Sequence, residues 1–205
     1  MPSCGLLVAW PVAIVATAFA IAFAIFLVLG DTGSDRNFTG GVFSLYGFTM
    51  AFYFVAMTQT FPLALGFSVT RREFFTATTV IAVGQSVVFG AVLYLLARLE
   101  RATDGWGVQM RMFDLPAYLT SNTLLQWFLI FSTLLVVAAV SMFLATVYQR
   151  WRTAGLYATG IATVIVAGVA SVVITWQRWW PAIGDWLVDT PRVVTLAVLP
   201  VAVAV

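Results

Sequence analysis

Long stretches without charged residues dominate this chain. No Asp, Glu, Lys or Arg occurs over residues 6–29, 41–58, 123–147 or 154–175. A helix needs about 20 apolar residues to span the ~30 Å hydrocarbon core of a bilayer. Only 9% of the residues are charged, against about a quarter in a typical soluble domain. The pattern predicts an all-α, polytopic membrane protein that forms a single transmembrane domain over residues 1–205.

The apolar stretches predict six transmembrane helices. They lie at about residues 6–29, 41–58, 71–96, 123–147, 154–175 and 192–205. The last stretch has only about 14 residues, or ~21 Å of helix, against a hydrocarbon core of ~30 Å. We therefore expect the natural chain to extend beyond Val205.

Few side chains are available for chemistry. All ten cationic residues are Arg, there is no His, and the only Cys is Cys4. A phosphate-binding GxxxxGK[ST] loop needs a Lys, and His is the commonest general base and metal ligand. The Arg residues do not form the cluster that a nucleic-acid-binding surface requires. We therefore predict no catalytic residue, no metal site, no enzyme activity and no nucleic-acid partner.

Small and polar residues recur inside the spans. Small side chains let helices approach closely in lipid, so stripes spaced by about four residues predict helix–helix contacts. Such stripes occur in the third span at Thr78, Ala82, Ser86 and Gly90, and in the fifth at Gly160, Thr163, Ala167, Ser171 and Thr175. Gln85 and Gln126 are the main polar residues at depth. We predict that each forms an interhelical hydrogen bond rather than a ligand site.

Charge in the short loops predicts the orientation. Arg71, Arg72, Arg150 and Arg152 crowd into the two short loops of one side. The other side holds six Arg, but its loops are longer and contain seven of the eight acidic residues. Positive charge in short loops near span ends marks the cytoplasmic side. We therefore place both short loops and the N-terminus in the cytoplasm.

The longer loops on the other side are rich in aromatic and Met residues. The loop at residues 98–121 contains several such side chains, which predict a segment lying at the membrane interface: Trp106, Met110, Met112, Phe113 and Tyr118. Four tryptophans follow the fifth span: Trp176, Trp179, Trp180 and Trp186. They predict an aromatic belt, or short helices that dip into the interface.

The short loop at residues 58–75 has local structure of its own. Thr70 and Glu73 fit the S/T-x-x-E capping box, so the third span is expected to begin directly after Thr70. Gly66 tolerates the left-handed conformation that ends many helices, which predicts a separate short helix at about residues 59–65. Spacing alone leaves two alternatives open, an ordinary cytoplasmic turn or an element that inserts into a soluble partner. The apolar residues available for such a contact are Phe61, Leu63, Leu65 and Phe67.

One motif lies at the entry to the third span. The sequence VTRREF at residues 69–74 fits the pattern V-[ST]-R-x-[ED]-[FI], within the longer phrase FPLALGFSVTRREFF, and GWG follows the span at residues 105–107. With six spans and a short helix between the second and third, the chain resembles permeases of the ABC type-2 exporter class (type V ABC exporters). The longer phrase and the GWG resemble those of small actinobacterial permeases of that class.

The resemblance implies a multi-pass protein of the bacterial cell membrane that works with partners. Two permeases, identical or homologous, would combine with two separately encoded ABC ATPases. The ATPases would bind ATP and Mg, and the permease itself would need no cofactor. The residues implied in coupling to the ATPase are Gln59, Phe61, Leu65, Gly66, Phe67, Arg71, Arg72, Glu73, Arg150 and Arg152.

The resemblance also implies a substrate route along the second and fifth spans, where two permeases meet. The residues implied are Phe48, Phe52, Tyr53, Gly160, Thr163 and Ala167. The four tryptophans would form an external re-entrant element. Two features depart from the family: its coupling helix usually carries charges, whereas this one is neutral, and an amphipathic helix usually precedes its first span.

These features predict the permease of an ATP-driven exporter. A route that is aromatic and uncharged suits an amphipathic or hydrophobic substrate, such as a drug, a peptide or a lipid. The alternative from another class is a non-transporting membrane scaffold or sensor subunit that anchors a cytoplasmic partner.

Overall fold

The computed structural model describes residues 3–29, 39–114 and 122–189, with side chains described from residue 9 to residue 186. Every regular element in these ranges is helical, which confirms the all-α class. Four helices are long and apolar enough to span a membrane: Ala9–Leu29, Gly40–Gly66, Arg71–Ala102 and Thr123–Trp176. Such helices indicate a membrane protein. The predicted sixth span at residues 192–205 lies outside the described residues.

Six α-helices follow one another in the part of the chain that the structure describes. They are α1 (Ser3–Leu29), α2 (Phe43–Val55), α3 (Phe61–Gly66), α4 (Arg71–Ala102), α5 (Thr123–Trp176) and α6 (Trp180–Asp189). A 3₁₀ turn at Gly40–Val42 leads into α2, and a π-helical turn at Ala56–Thr60 joins α2 to α3. A loop at Gly105–Gln109 follows α4.

The longest helix, α5, is divided by one residue. Its 54 residues would measure ~81 Å if straight. However, Arg152 has the non-helical angles φ 53° and ψ −146°. A Cβ built on Gly155 would lie 3.3 Å from the carbonyl oxygen of Val147, whereas residues eight apart in a straight helix are separated by ~12 Å. The chain therefore bends sharply at Arg152, within the short loop predicted between the spans at residues 123–147 and 154–175. We call residues 123–151 the proximal segment and 153–176 the distal segment.

The core consists of α2, α4 and the proximal segment of α5. The hydroxyl of Tyr46 lies 3.0 Å from that of Thr133, and the Gln149 side chain reaches Met57, so α2 and the proximal segment run parallel. Arg101 donates to Gln126 at 3.0 Å near the opposite end of α4, so α4 is antiparallel to both. We call the end of the core that contains Phe67–Thr70 the turn end, and the end that contains Gly105–Asp114 the loop end.

The two predicted small-residue stripes have different outcomes. Thr78, Ala82, Ser86 and Gly90 are all buried on α4, which confirms that this face packs against other helices. A Cβ on Gly90 would lie 3.5 Å from the backbone nitrogen of Phe131. The stripe from residue 160 to residue 175 is exposed, so within the described part of the chain it is not a helix–helix contact.

Two parts of the fold lie outside the core. Helix α1 packs against the beginning of α2 and the Gly105–Gln109 loop, and only Pro11 and Ala22 are buried among its described side chains. The distal segment of α5 exposes Val and Ile side chains on all sides, and α6 follows it after a tight turn at residues 177–179. These surfaces are suited to lipid or to another apolar partner.

Candidate functional site

At the turn end, α2 continues into α3 without a break. The short helix predicted at about residues 59–65 corresponds to α3 (Phe61–Gly66), but it is not detached from the second span, because helical structure runs from Gly40 to Gly66. The chain absorbs one extra residue in the π-helical turn, where the Phe61 N–H donates to the carbonyl of Ala56. The left-handed residue after α3 is Ser68, with φ 65°, and not Gly66. Helices α2 and α3 therefore form one continuous helical element.

A proline and a distant glutamine account for the π-helical turn. Pro62 has no N–H and cannot donate to the carbonyl of Met57 or Thr58. The side-chain amide of Gln149, which is 92 residues away, donates to the carbonyl of Met57 instead. This bond ties the turn end of α2 to the end of the proximal segment, three residues before the bend in α5.

The capping box at the start of α4 is confirmed. The Glu73 N–H donates to the hydroxyl of Thr70 at 3.3 Å, and the Thr70 N–H donates to the Glu73 carboxylate at 2.9 Å. The ring of Phe61 lies 5.1 Å from that of Phe74 and 5.8 Å from that of Phe75. Aromatic contacts thus hold α3 against the first turn of α4.

The predicted coupling residues form an exposed surface at the turn end. Among the large apolar side chains at the turn end, that of Phe67 is the most exposed, at 76%. Leu63 is also exposed. Phe61 and Leu65 are half-buried, and the remaining members of the set are exposed: Gln59, Gly66, Arg71, Arg72, Glu73, Arg150 and Arg152. The guanidinium groups of Arg150 and Arg152 lie 5.2 Å and 5.9 Å from the rings of Trp151 and Tyr148.

The residues of the predicted route are not brought together. Tyr53 is buried, and its hydroxyl donates to Gln85 at 2.6 Å, which confirms the interhelical hydrogen bond predicted for Gln85. Phe48 and Phe52 are half-buried on α2, whereas Gly160, Thr163 and Ala167 are exposed on the distal segment of α5. No described residue covers Gly160, Thr163 or Ala167.

The four tryptophans lie at the junction of α5 and α6. All four are exposed: Trp176, Trp179, Trp180 and Trp186. The Trp179 N–H donates to the carbonyl of Ile174 at 3.0 Å, and the Trp180 indole donates to the hydroxyl of Thr175 at 3.0 Å. These bonds close a tight turn before the ten-residue helix α6.

A buried acidic residue organises the loop end. Glu100 is only 2% exposed. Its carboxylate accepts hydrogen bonds from the backbone N–H groups of Met112, Phe113 and Asp114 at 2.9–3.2 Å. It also accepts the indole N–H of Trp106 at 3.4 Å. One carboxylate thus fixes both ends of the loop that follows α4.

An ion-pair network surrounds Glu100. Arg101 donates from Nε to Asp114 at 2.6 Å and from Nη2 to Gln126 at 3.0 Å. Arg111 lies 3.6 Å from the other oxygen of Asp114. Gln126 therefore forms an interhelical hydrogen bond, as predicted. Gln126 and Asp114 are both buried.

Sequence reasoning missed this cluster. It assigned residues 98–121 to a segment at the membrane interface, but Met110, Met112 and Phe113 are buried against the helices. A signal was present, since Glu100 follows Ala97 by three residues and Leu93 by seven. This spacing places it on the buried face of α4. Tyr118 lies outside the described residues.

The arrangement defines an all-helical protein with helices suited to a membrane, an exposed turn at one end and a buried polar cluster at the other. Comparisons with protein-family models, curated proteins and solved structures found no match to this chain.

Proposed function

We propose that this chain is the permease subunit of an ATP-driven ABC exporter, multi-pass in the bacterial cell membrane. A separate ATPase docks on the turn end. The observation that carries the proposal is that Leu63 and Phe67, at the end of a helix continuous with α2, are exposed and lie a few residues before the exposed Arg71 and Arg72 at the start of α4. Exposed apolar side chains next to arginines are characteristic of protein–protein contacts.

Three contacts carry movement from the docking surface into the helices. The π-helical turn connects α3 to α2, the rings of Phe61, Phe74 and Phe75 connect α3 to α4, and Gln149 connects α2 to α5. Closure of two ATPases around ATP and Mg pushes α3, and this push tilts α2, α4 and the proximal segment together.

The proposed topology has six spans. The bend at Arg152 divides α5 into two segments, each about as long as a span, and residues 192–205 supply the sixth. The exposed distal segment, with Gly160, Thr163 and Ala167, faces a second permease copy across the route. Its apolar surface suits an amphipathic or hydrophobic substrate, such as a drug, a peptide or a lipid.

The test is reconstitution with a candidate ABC ATPase from the same organism. We expect Phe67→Ala and Arg72→Glu to weaken co-purification of the ATPase and to lower its stimulation severalfold, because both remove part of the docking surface. Leu124→Ala is the matched control, since Leu124 is 77% exposed but lies at the loop end. Unchanged assembly and stimulation in both turn-end variants would contradict the proposal.

Transport of a fluorescent amphipathic substrate into or out of proteoliposomes distinguishes an exporter from a non-transporting scaffold or sensor subunit. An intact complex that stimulates ATP hydrolysis but moves no substrate would indicate a scaffold or sensor subunit.

A further inference from the structure

An apolar cavity lies between α1, α2 and α4, beside the loop end. Its volume is about 250 Å³. Its lining consists of aliphatic and aromatic residues, chiefly Val12, Val15, Phe19, Leu45, Val92 and Trp106. The cavity is larger than the engineered apolar cavities of ~150 Å³ that bind benzene. It is therefore large enough to hold a hydrocarbon ligand.

The cavity opens sideways onto the surface between α1 and α4. Val12 of α1 is 54% exposed and Val92 of α4 is 45% exposed, although both line the cavity. In a membrane protein such a surface meets the hydrocarbon core of the bilayer. A ligand can thus enter from lipid without crossing the aqueous phase.

Among the described residues that line the cavity, no side chain has a polar group free to bind water. The one side-chain donor in it is the indole N–H of Trp106, which already donates to Glu100. Water in a cavity needs polar partners, and an empty cavity forfeits dispersion contacts along its wall. The chemistry of the wall therefore selects a hydrocarbon chain.

Hydrogen bonds from Glu100 hold the end of the cavity in place despite a strained backbone at Trp106. The ring of Phe19 lies 5.0 Å from that of Trp106 and 6.2 Å from that of Phe113. Glu100 binds the indole of Trp106 and the backbone N–H of Phe113. Trp106 has φ 62°, a left-handed conformation that costs free energy in a non-glycine residue. Glu100 thus holds these rings as a wall.

We infer that this cavity binds one acyl chain of a bilayer phospholipid, which enters between α1 and α4 and ends against the rings of Phe19, Trp106 and Phe113. The site is separate from the proposed substrate route and does not depend on the proposed function. It needs only that the helices lie in a bilayer.

The test is photo-crosslinking of the full-length chain in vesicles doped with a phospholipid that carries a diazirine on its acyl chain. Labelled peptides are then mapped by mass spectrometry. We expect concentrated labelling of the peptide that contains Val92 and Leu96, and saturable competition by unlabelled phospholipid. Labelling spread evenly over every apolar helix, or labelling that does not saturate, would overturn the inference.

A pair of variants isolates the cavity. Ala16 lines it, so Ala16→Phe fills it, whereas Ala24→Phe adds the same ring at an exposed position of α1 outside it. We expect severalfold less labelling of the lining in Ala16→Phe and unchanged labelling in Ala24→Phe. Equal labelling of the lining in Ala16→Phe and the unsubstituted chain would also overturn the inference. If Ala16→Phe does not fold, the competition measurement on the unsubstituted chain decides.

Discussion

At the scale of single residues, Glu100 carries an unusual number of contacts. A buried charge is tolerated when hydrogen bonds compensate for its loss of water, and here three backbone N–H groups and one indole N–H do so. These donors belong to the loop, which has left-handed backbone at Asp104, Gly105, Trp106, Gly107 and Gln109. The acidic side chain thus stabilises a loop conformation that its own backbone disfavours.

Glu100→Gln is expected to lower the stability of the protein. One carboxylate oxygen becomes an NH₂ group that faces donors, so at least one buried N–H loses its acceptor, at a cost of about 1–3 kcal/mol. Thermal unfolding in detergent measures the change.

The control for this variant is Asp104→Asn, the same change of acid to amide at an exposed position of the same loop. Asn also tolerates the left-handed conformation of residue 104. Equal Tm values for Glu100→Gln and Asp104→Asn would contradict the role of Glu100.

At the scale of elements, the π-helical turn connects the proposed docking surface to the core. Its geometry follows from Pro62, which lacks the N–H that an α-helix requires, and from Gln149, which supplies a donor from another helix. π-Helical turns are frequent at functional sites. The turn is the point at which a local substitution is expected to alter coupling between α2 and α5.

Gln149→Leu is expected to destabilise the fold by about 1–3 kcal/mol, because it leaves the carbonyl of Met57 without this donor. Pro62→Ala restores a backbone N–H, so the double variant is expected to recover part of the loss. Gln59→Leu is the control, since Gln59 is exposed on the same turn. Chemical or thermal unfolding of the four proteins gives the comparison, and a Gln149→Leu variant as stable as Gln59→Leu would exclude this bond as a stabilising contact.

At the scale of the whole molecule, the two ends of the three-helix core are chemically distinct. The turn end presents exposed arginines and Phe67, whereas the loop end buries the acidic residues Glu100 and Asp114, and Asp114 pairs with Arg101 and Arg111. The positive charge of the short loops predicts that the turn end is cytoplasmic. The proposed docking of an ATPase requires this orientation.

Cysteine labelling in intact cells tests the orientation. In a Cys4→Ser background, Phe67→Cys is expected to react with a membrane-impermeant maleimide only after permeabilisation. Leu124→Cys, which is equally exposed at the opposite end, is expected to react without it. The reverse pattern, or labelling of both positions from one side, would refute the predicted orientation.

The sequence alone determined the features that depend on residues close together in the chain. Apolar length predicted helices of membrane-spanning length, the capping box predicted the start of α4, and four-residue spacing predicted its packing face. Each of these follows from residues within a few turns of one another. Gln85 and Gln126 were also correctly predicted to bond between helices, because an amide at depth needs a partner.

Only the tertiary structure decided the features that depend on residues far apart in the chain. The continuity of α2 with α3 involves Gln149, which is 92 residues from the carbonyl it binds. The burial of Glu100 depends on a loop that folds back to donate three N–H groups. A buried polar residue is stable only when a hydrogen-bond partner is packed against it, and the local sequence does not specify that partner.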